Sequence, residues 1–372
     1  MDLSSEMIHG LLPLFMATTL GASMVTIGIV EGIAEAIASL LKIVSGTLSD
    51  WVGRRKALTI AGYGLAALAK PLFALATGMG LVMTARFADR IGKGIRGAPR
   101  DALIGAHAPP HLRGACFGLR QSLDTVGAFL GPLAALFLLW VFAGDLRAVF
   151  WVAVVPAFLS VAVLIAGVRD PPSPSRPTTG FPLRRDRMAE LDRRFWILLA
   201  LTALFHFARP PEAFLILRAT DAGLAAILAP VVLVIMNVVY ALAAYPAGGW
   251  SDRIGRPGVM AVSLVPLLLA QAILALAAGW ETVLAGVALW GLHMGLSQGV
   301  LAALVVDASP ERLRGTAFGL FHLVSGCGLV AAGLLGGFLW DRWSPTAAYG
   351  AGAGLTLVLF LALALSQTKR PG

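Results

Sequence analysis

The stretch GTLSDWVGRRK, residues 46–56, decides the fold of this chain. It follows one long apolar segment and precedes another, so the chain turns here between two hydrophobic segments. The same pattern, GxxxDxxGR, returns as GGWSDRIGR at residues 248–256, about 202 residues later. Two copies of one pattern, each between hydrophobic segments, indicate a duplicated architecture.

The composition is that of a membrane protein. Of the 372 residues, 58% are hydrophobic and only 13% are charged, whereas soluble domains carry roughly 25% charged residues. Apolar runs of about 18 residues or more recur along the chain, and each can cross a hydrocarbon core of about 30 Å. The strict alternation of a membrane β-barrel is not found. We predict an all-α polytopic fold with transmembrane helices near residues 2–20, 24–48, 57–77, 80–105, 115–141, 148–168, 195–217, 223–249, 258–278, 282–306, 315–340 and 346–367.

Basic residues predict the orientation of these twelve helices. Most Lys and Arg residues outside the spans lie in the loops after even-numbered spans or at the C-terminus, and only Arg147, Arg218 and Arg342 lie in the opposite loops. Because basic loops remain in the cytoplasm, both termini are expected to face the cytoplasm. The net charge of +9 therefore indicates topology, and nucleic acid is not an expected partner.

A second motif extends the repeat. The pattern PxxxRGxxFGL occurs at residues 109–119 and again at residues 310–320. At this offset the first span lacks several residues that the seventh span has, so either the natural start lies further upstream or the first helix is truncated. The predicted domains are an N-terminal six-helix bundle at 1–168, a cytoplasmic linker at 169–194 and a C-terminal six-helix bundle at 195–368.

The duplicated loop motif resembles the cytoplasmic loop signature of the major facilitator superfamily of secondary transporters. The resemblance covers nearly the whole chain and implies two six-helix halves that rock against each other. It also implies that Asp50 and Asp252 contact the N-termini of the helices that begin near Arg314 and Arg113, where the helix dipole stabilises a carboxylate. The residues expected to form this cytoplasmic gate are Gly46, Asp50, Gly53, Arg54, Gly248, Asp252, Gly255, Arg256, Arg113 and Arg314.

The fourth predicted helix carries a further resemblance. RFADRIGKGIRGAPR, residues 86–100, is similar to the Arg-rich and Gly-rich motif of the superfamily's fourth helix, and to a bacterial subgroup that reads GKGIRxAPRD. GxxxGP at residues 127–132 partly matches the motif associated with antiporters, although two alanines replace its usual closing glycines. Glycines at such spacing are equally typical of close helix packing.

Ionisable residues inside the spans are costly in a bilayer and are therefore functional candidates. They are concentrated in the first half of the chain. On one interpretation, acids and bases neutralise each other in a structural network. On the other, Arg90 and Lys93 hold an anionic group, and a desolvated carboxylate carries the coupling proton. The residues expected along the substrate and proton pathway are Glu6, Glu31, Glu35, Arg86, Arg90, Lys93, Arg120 and Asp124.

These features favour a secondary active transporter for a small solute, driven by protons and embedded as a monomer in the lipid of a bacterial inner membrane. Efflux is the preferred direction, because proton-coupled drug exporters are common among the relatives that the chain resembles. The alternatives are uptake of an anionic metabolite and a non-transporting assembly or sensing protein on the same scaffold. The sequence has no dinucleotide or phosphate-binding fingerprint, and an enzyme, a cofactor and a metal site are not expected.

Overall fold

The computed structural model describes residues 1–12, 15–16, 19–22, 24–170, 188–225 and 228–368. These residues form thirteen α-helices and two 3₁₀ turns, Pro110–Leu112 and Glu311–Leu313, which confirms the all-α prediction. The helices are α1 (Asp2–His9), α2 (Met24–Val52), α3 (Arg55–Leu75), α4 (Met79–His107), α5 (Arg113–Val141), α6 (Leu146–Gly167), α7 (Arg193–Phe207), α8 (Ala213–Asp221), α9 (Ala229–Ile254), α10 (Arg256–Leu276), α11 (Trp280–Asp307), α12 (Arg314–Arg342) and α13 (Pro345–Thr368).

Seven of the described helices are long and apolar enough to cross a membrane by length and composition, namely α3, α5, α6, α9, α10, α11 and α12. Helix α4 is equally long, but the charged residues along it lower its hydropathy. Ten of the twelve predicted spans each coincide with one helix, because a long apolar run between turn residues leaves the backbone no other way to satisfy its hydrogen bonds in lipid.

The seventh predicted span is not one helix, and this corrects the expectation for residues 195–217. Helix α7 ends at Phe207 and α8 begins at Ala213. Pro210 and Pro211 lie between them. A proline has no N–H to donate and disfavours a helical conformation in the preceding residue, so the helix breaks here. Helix α1 ends at His9, and the rest of the first predicted span lies partly outside the described residues.

The chain divides into two compact units that do not follow the repeat boundary. Unit 1 comprises Met1–His107, Val126–Leu191 and Ser309–Leu323. Unit 2 comprises Ala108–Thr125, Asp192–Ala308 and Val324–Gly372. Unit 1 therefore includes the start of α12, and unit 2 includes the start of α5. The division into domains at 1–168, 169–194 and 195–368 stays a prediction about the repeat.

In each unit, a glycine at the equivalent position of the repeat lets two helices pack closely. In unit 1, a Cβ on Gly94 of α4 would lie 2.6 Å from the Cβ of Leu41 on α2. In unit 2, a Cβ on Gly295 of α11 would lie 2.6 Å from the Cβ of Ala243 on α9. Because real Cβ atoms do not approach so closely, both crossings require glycine. The internal repeat of the sequence is thus also a repeat of helix packing.

Candidate functional site

The first copy of the loop motif holds a buried carboxylate. Asp50 lies in the last turns of α2, and its side chain has no exposed surface. The carboxylate accepts hydrogen bonds from the backbone amides of Gly315 and Thr316 at 3.0 and 2.6 Å, and from the Thr316 hydroxyl at 2.9 Å. These amides lie in the first turn of α12, where unsatisfied N–H groups and the helix dipole attract an anion. The predicted contact is therefore present, within unit 1.

The second copy forms the same contact within unit 2. Asp252 accepts hydrogen bonds from the backbone amides of Gly114 and Ala115, in the first turn of α5, at 2.9 and 2.8 Å. The Arg256 guanidinium donates to the same carboxylate at 3.1 Å and also pairs with Asp307. Both carboxylate-to-helix contacts are thus present in the structure, and their role as a gate stays a prediction.

The first glycine of each motif is explained by these contacts. A Cβ on Gly46 would collide with the carbonyl oxygen of Gly315, and a Cβ on Gly248 would collide with the carbonyl oxygen of Gly114. The helix that carries each carboxylate therefore crosses its partner helix backbone against backbone. Such a close approach lets a short aspartate reach the amides of the neighbouring helix.

The arginine that supports Asp50 is Arg55, and the expectation for Arg54 is corrected. Helix α2 ends at Val52, and Gly53 adopts a positive φ of 69° that turns the chain away from the helix. Arg54 is exposed in this turn. Arg55 begins α3, and its Nη2 donates to Oδ1 of Asp50 at 3.1 Å.

Two further residues of the expected gate lie next to acidic side chains. Arg314 is buried, and its Nη1 lies 3.9 Å from Oε1 of Glu311. The Glu311 carbonyl also accepts a hydrogen bond from Arg55. In unit 2, Arg113 pairs with Asp307 at 2.8 Å. The sequence analysis did not select Glu311 or Asp307.

A network of buried charges joins α1, α3 and α4 within unit 1. Oδ1 of Asp89 accepts from Nζ of Lys70 at 2.8 Å, and Oδ2 lies 3.1 Å from Nε2 of His9. Nη2 of Arg90 lies 2.8 Å from Nδ1 of His9, and Lys70 also donates to the Ser5 hydroxyl at 3.0 Å. Lys70 has no exposed surface. This arrangement corresponds to the structural interpretation of the charges, since each buried cation contacts an anion or a polar atom.

The structure brings some of the expected pathway residues together in unit 1. Glu6 of α1 lies within electrostatic range of Lys93 and Arg90, both on α4. A Cβ on Gly131 would collide with the Cβ of Glu6, so this glycine allows close packing against α1. Arg86 is buried in the same unit. The side chains of Glu31 and Glu35 lie outside the described part of the chain.

The other two expected residues belong to a second polar cluster, in unit 2. Arg120 and Asp124 form an ion pair of 2.7 Å on α5. Both lie within electrostatic range of Tyr240 on α9, together with Arg209 and Glu212 from the break between α7 and α8. The sequence analysis placed Arg209 and Glu212 inside a continuous span and did not select them, because most of the ionisable residues lie in the first half of the chain. The Pro210-Pro211 pair was the signal that could have found this break.

Comparisons with known proteins agree with one another. The model of the Major Facilitator Superfamily matches residues 1–239 and 213–372. The chain is 32% identical over 346 residues to the uncharacterized MFS-type transporter MJ1317 of Methanocaldococcus jannaschii, covering 91% of this chain and 85% of the relative. It is 27% identical over 200 residues to the multidrug resistance protein MdtH of Photorhabdus laumondii, covering 53% and 48%. The E. coli fucose:proton symporter FucP superposes with a TM-score of 0.80 at 16% identity, covering 98% of this chain and 95% of FucP, which shows a shared fold.

Proposed function

Because the chain belongs to the major facilitator superfamily, we propose that it exports a small solute from the cytoplasm in exchange for protons, by alternating access. The observation that carries this proposal is the pair of carboxylate contacts at Asp50 and Asp252. Each contact joins a helix of one repeat to the first turn of a helix of the other repeat. Two such contacts at repeat-related positions are what a gate on one side of a duplicated transporter requires.

The strength of these contacts suits a gate. Each depends on a few charge-assisted hydrogen bonds, which contribute about 1.5–3 kcal/mol apiece. Conformational equilibria of proteins typically involve free-energy differences of a few kcal/mol, so these contacts are strong enough to favour one state. We assign the gate to the cytoplasmic side, with both termini in the cytoplasm, because the basic loops lie on that side.

The proton pathway is assigned to the polar residues that face one another inside each unit. Glu6 beside Lys93 and Arg90, and Asp124 beside Arg120, place a carboxylate next to a cation within helices that cross the membrane. A proton that neutralises such a carboxylate frees its cation, and this change can be linked to solute binding. Glu31, Glu35 and Arg86 complete the proposed pathway.

Export is the preferred direction, and the similarity to the multidrug resistance protein MdtH supports it. The GKGIRxAPRD subgroup, the bacterial inner membrane and a monomeric state belong to the same proposal. Uptake of an anionic metabolite is the second candidate. It is favoured by the cationic side chains of Arg90 and Lys93 on one helix. A non-transporting assembly or sensing protein on this scaffold is the third.

Inside-out membrane vesicles test the proposal. Respiring vesicles that contain the full chain acidify their interior, and the fluorescence quench of acridine orange reports the gradient. Ethidium, tetracycline and benzoate are added in turn as probes, and the compound that the chain exports is expected to reverse part of the quench. Arg90→Ala and Lys93→Ala are expected to reduce this reversal. Solute uptake accelerated by an inward proton gradient in proteoliposomes would argue against export, and solute flux untouched by both substitutions would favour the non-transporting scaffold.

A further inference from the structure

The break between α7 and α8 in unit 2 is held in place by hydrogen bonds from other helices. The backbone leaves the helix at Ala208, and its carbonyl, which has no helical partner, accepts a hydrogen bond of 2.7 Å from Nε2 of Gln271. Oε1 of Gln271 in turn accepts from the Thr356 hydroxyl at 2.8 Å. Side chains from α10 and α13 therefore hold the non-helical backbone in place. In membrane proteins, such backbone occurs only where protein or a polar cavity satisfies it.

Arg209 is the residue that this break presents. Its side chain is 5% exposed, and within the described part of the chain its buried Nη1 has no hydrogen-bond partner. The guanidinium lies 5.9 Å from the ring centroid of Phe205. Arginine stays charged in proteins, so a buried guanidinium with an unfilled donor costs free energy until an acceptor reaches it. The unfilled donor of Arg209, at a break held by side chains of two other helices, indicates a ligand that supplies the acceptor.

The charged groups around Arg209 leave one of its donors unfilled. Arg120 and Asp124 neutralise each other through their 2.7 Å ion pair. Glu212 lies within electrostatic range of Arg209, but the described residues contain no carboxylate within ion-pair distance of that guanidinium. Glu212 therefore offsets the charge of Arg209 at a distance and fills none of its donors. The Tyr240 hydroxyl adds a polar group, and Phe205 adds an apolar wall.

We propose that Arg209 binds the carboxylate of the transported solute, a monocarboxylate with an apolar body, at the break between α7 and α8. This inference rests on the proposed transport function and names the substrate class. The planar guanidinium matches a carboxylate with two parallel hydrogen bonds, which a neutral group cannot replace. Phe205 provides contact for the apolar body of the solute.

Equilibrium binding of radiolabelled benzoate to the purified full chain in detergent tests the site. Wild-type protein binds benzoate, and the neutral isostere benzamide does not compete. Arg209→Gln weakens benzoate binding by about 10- to 100-fold, because hydrogen bonds to a charged group are lost. Arg253→Gln removes an exposed cation of the same unit and leaves the affinity unchanged. Wild-type protein that does not bind benzoate, or Arg209→Gln with wild-type affinity, overturns the proposal.

Thermal stability distinguishes a purely structural role of Arg209 from a role in binding. Arg209→Gln combined with Glu212→Gln removes both charges, so the thermal midpoint of the ligand-free protein is expected to be unchanged or raised, while benzoate binding is lost. A lowered midpoint with retained binding overturns the proposal. If Arg209→Gln does not fold, Arg209→Lys replaces the planar guanidinium by a point charge and is expected to bind benzoate about tenfold more weakly. Wild-type affinity in Arg209→Lys also overturns the proposal. Binding is measured without a proton gradient, so wild-type protein that exports a probe in vesicles but does not bind benzoate refutes the site and not the transport function.

Discussion

Replacement of Asp50 by asparagine is expected to open the contact between α2 and α12. Asparagine keeps the shape but loses the charge, and it places an NH₂ group where the carboxylate accepts from Thr316 or Arg55 at 2.6 and 3.1 Å. Because the Asp50 side chain has no exposed surface, solvent does not screen the loss. Removal of one partner from a buried pair costs about 3–5 kcal/mol. Taking about 3 kcal/mol, the open state gains roughly 100-fold in relative population.

Cysteine labelling measures this change directly. Ala317 follows Thr316 on α12 and has no exposed surface, so Ala317→Cys, in a background that lacks Cys116 and Cys327, reports opening. Inside-out vesicles are treated with a membrane-impermeant maleimide, and the labelling rate is expected to rise by up to about 100-fold with Asp50→Asn. Asp341→Asn, an exposed carboxylate on the same helix, is the matched control. An unchanged labelling rate in Asp50→Asn would refute the assignment of this contact as a gate.

Two further substitutions test the packing and the buried network. Gly248→Ala drives a Cβ into the Gly114 carbonyl, and such overpacking is expected to cost about 1–3 kcal/mol and to reduce solute flux. Gly249→Ala meets open space and should leave flux at the wild-type level; equal losses in both variants would contradict the reasoning. Lys70→Met leaves the buried Asp89 carboxylate without its closest cation, so thermal unfolding in detergent is expected to show a loss of about 3 kcal/mol. Addition of Asp89→Asn should restore most of that loss, and a double variant as unstable as the single one would rule out the ion pair as its cause.

Hydropathy predicted most of the fold because the bilayer imposes a simple rule on the backbone. A long apolar run must form a helix to satisfy its hydrogen bonds, and the positions of ten spans follow from that rule. Hydropathy is averaged over a whole span, and this averaging concealed the break at Pro210 and Pro211. Two prolines change the mean hydropathy of a span very little. Local backbone chemistry decides there, because proline removes a donor and excludes the helix before it.

The two carboxylate contacts could be predicted because each short motif resembles the loop signature of the superfamily, and that resemblance implies which helix start the carboxylate meets. The network around Asp89 could not, because its members come from three helices. Helical spacing tells which side chains share a face of one helix, but it does not tell which faces meet. The concentration of both acids and bases in the first half was the available signal, and it indicated pairing without naming the partners.

The repeat explains why Arg55, and not the expected Arg54, contacts Asp50. Asp50 and Asp252 are 202 residues apart, whereas Arg55 and Arg256, which donate to them, are 201 apart. The PxxxRGxxFGL motifs further along are also 201 apart. One extra residue therefore lies in the turn of the first copy. Both supporting arginines are the first residue of the next helix, so their position is set by where that helix begins. An arginine counted forward from the carboxylate is misassigned whenever the intervening turn changes length.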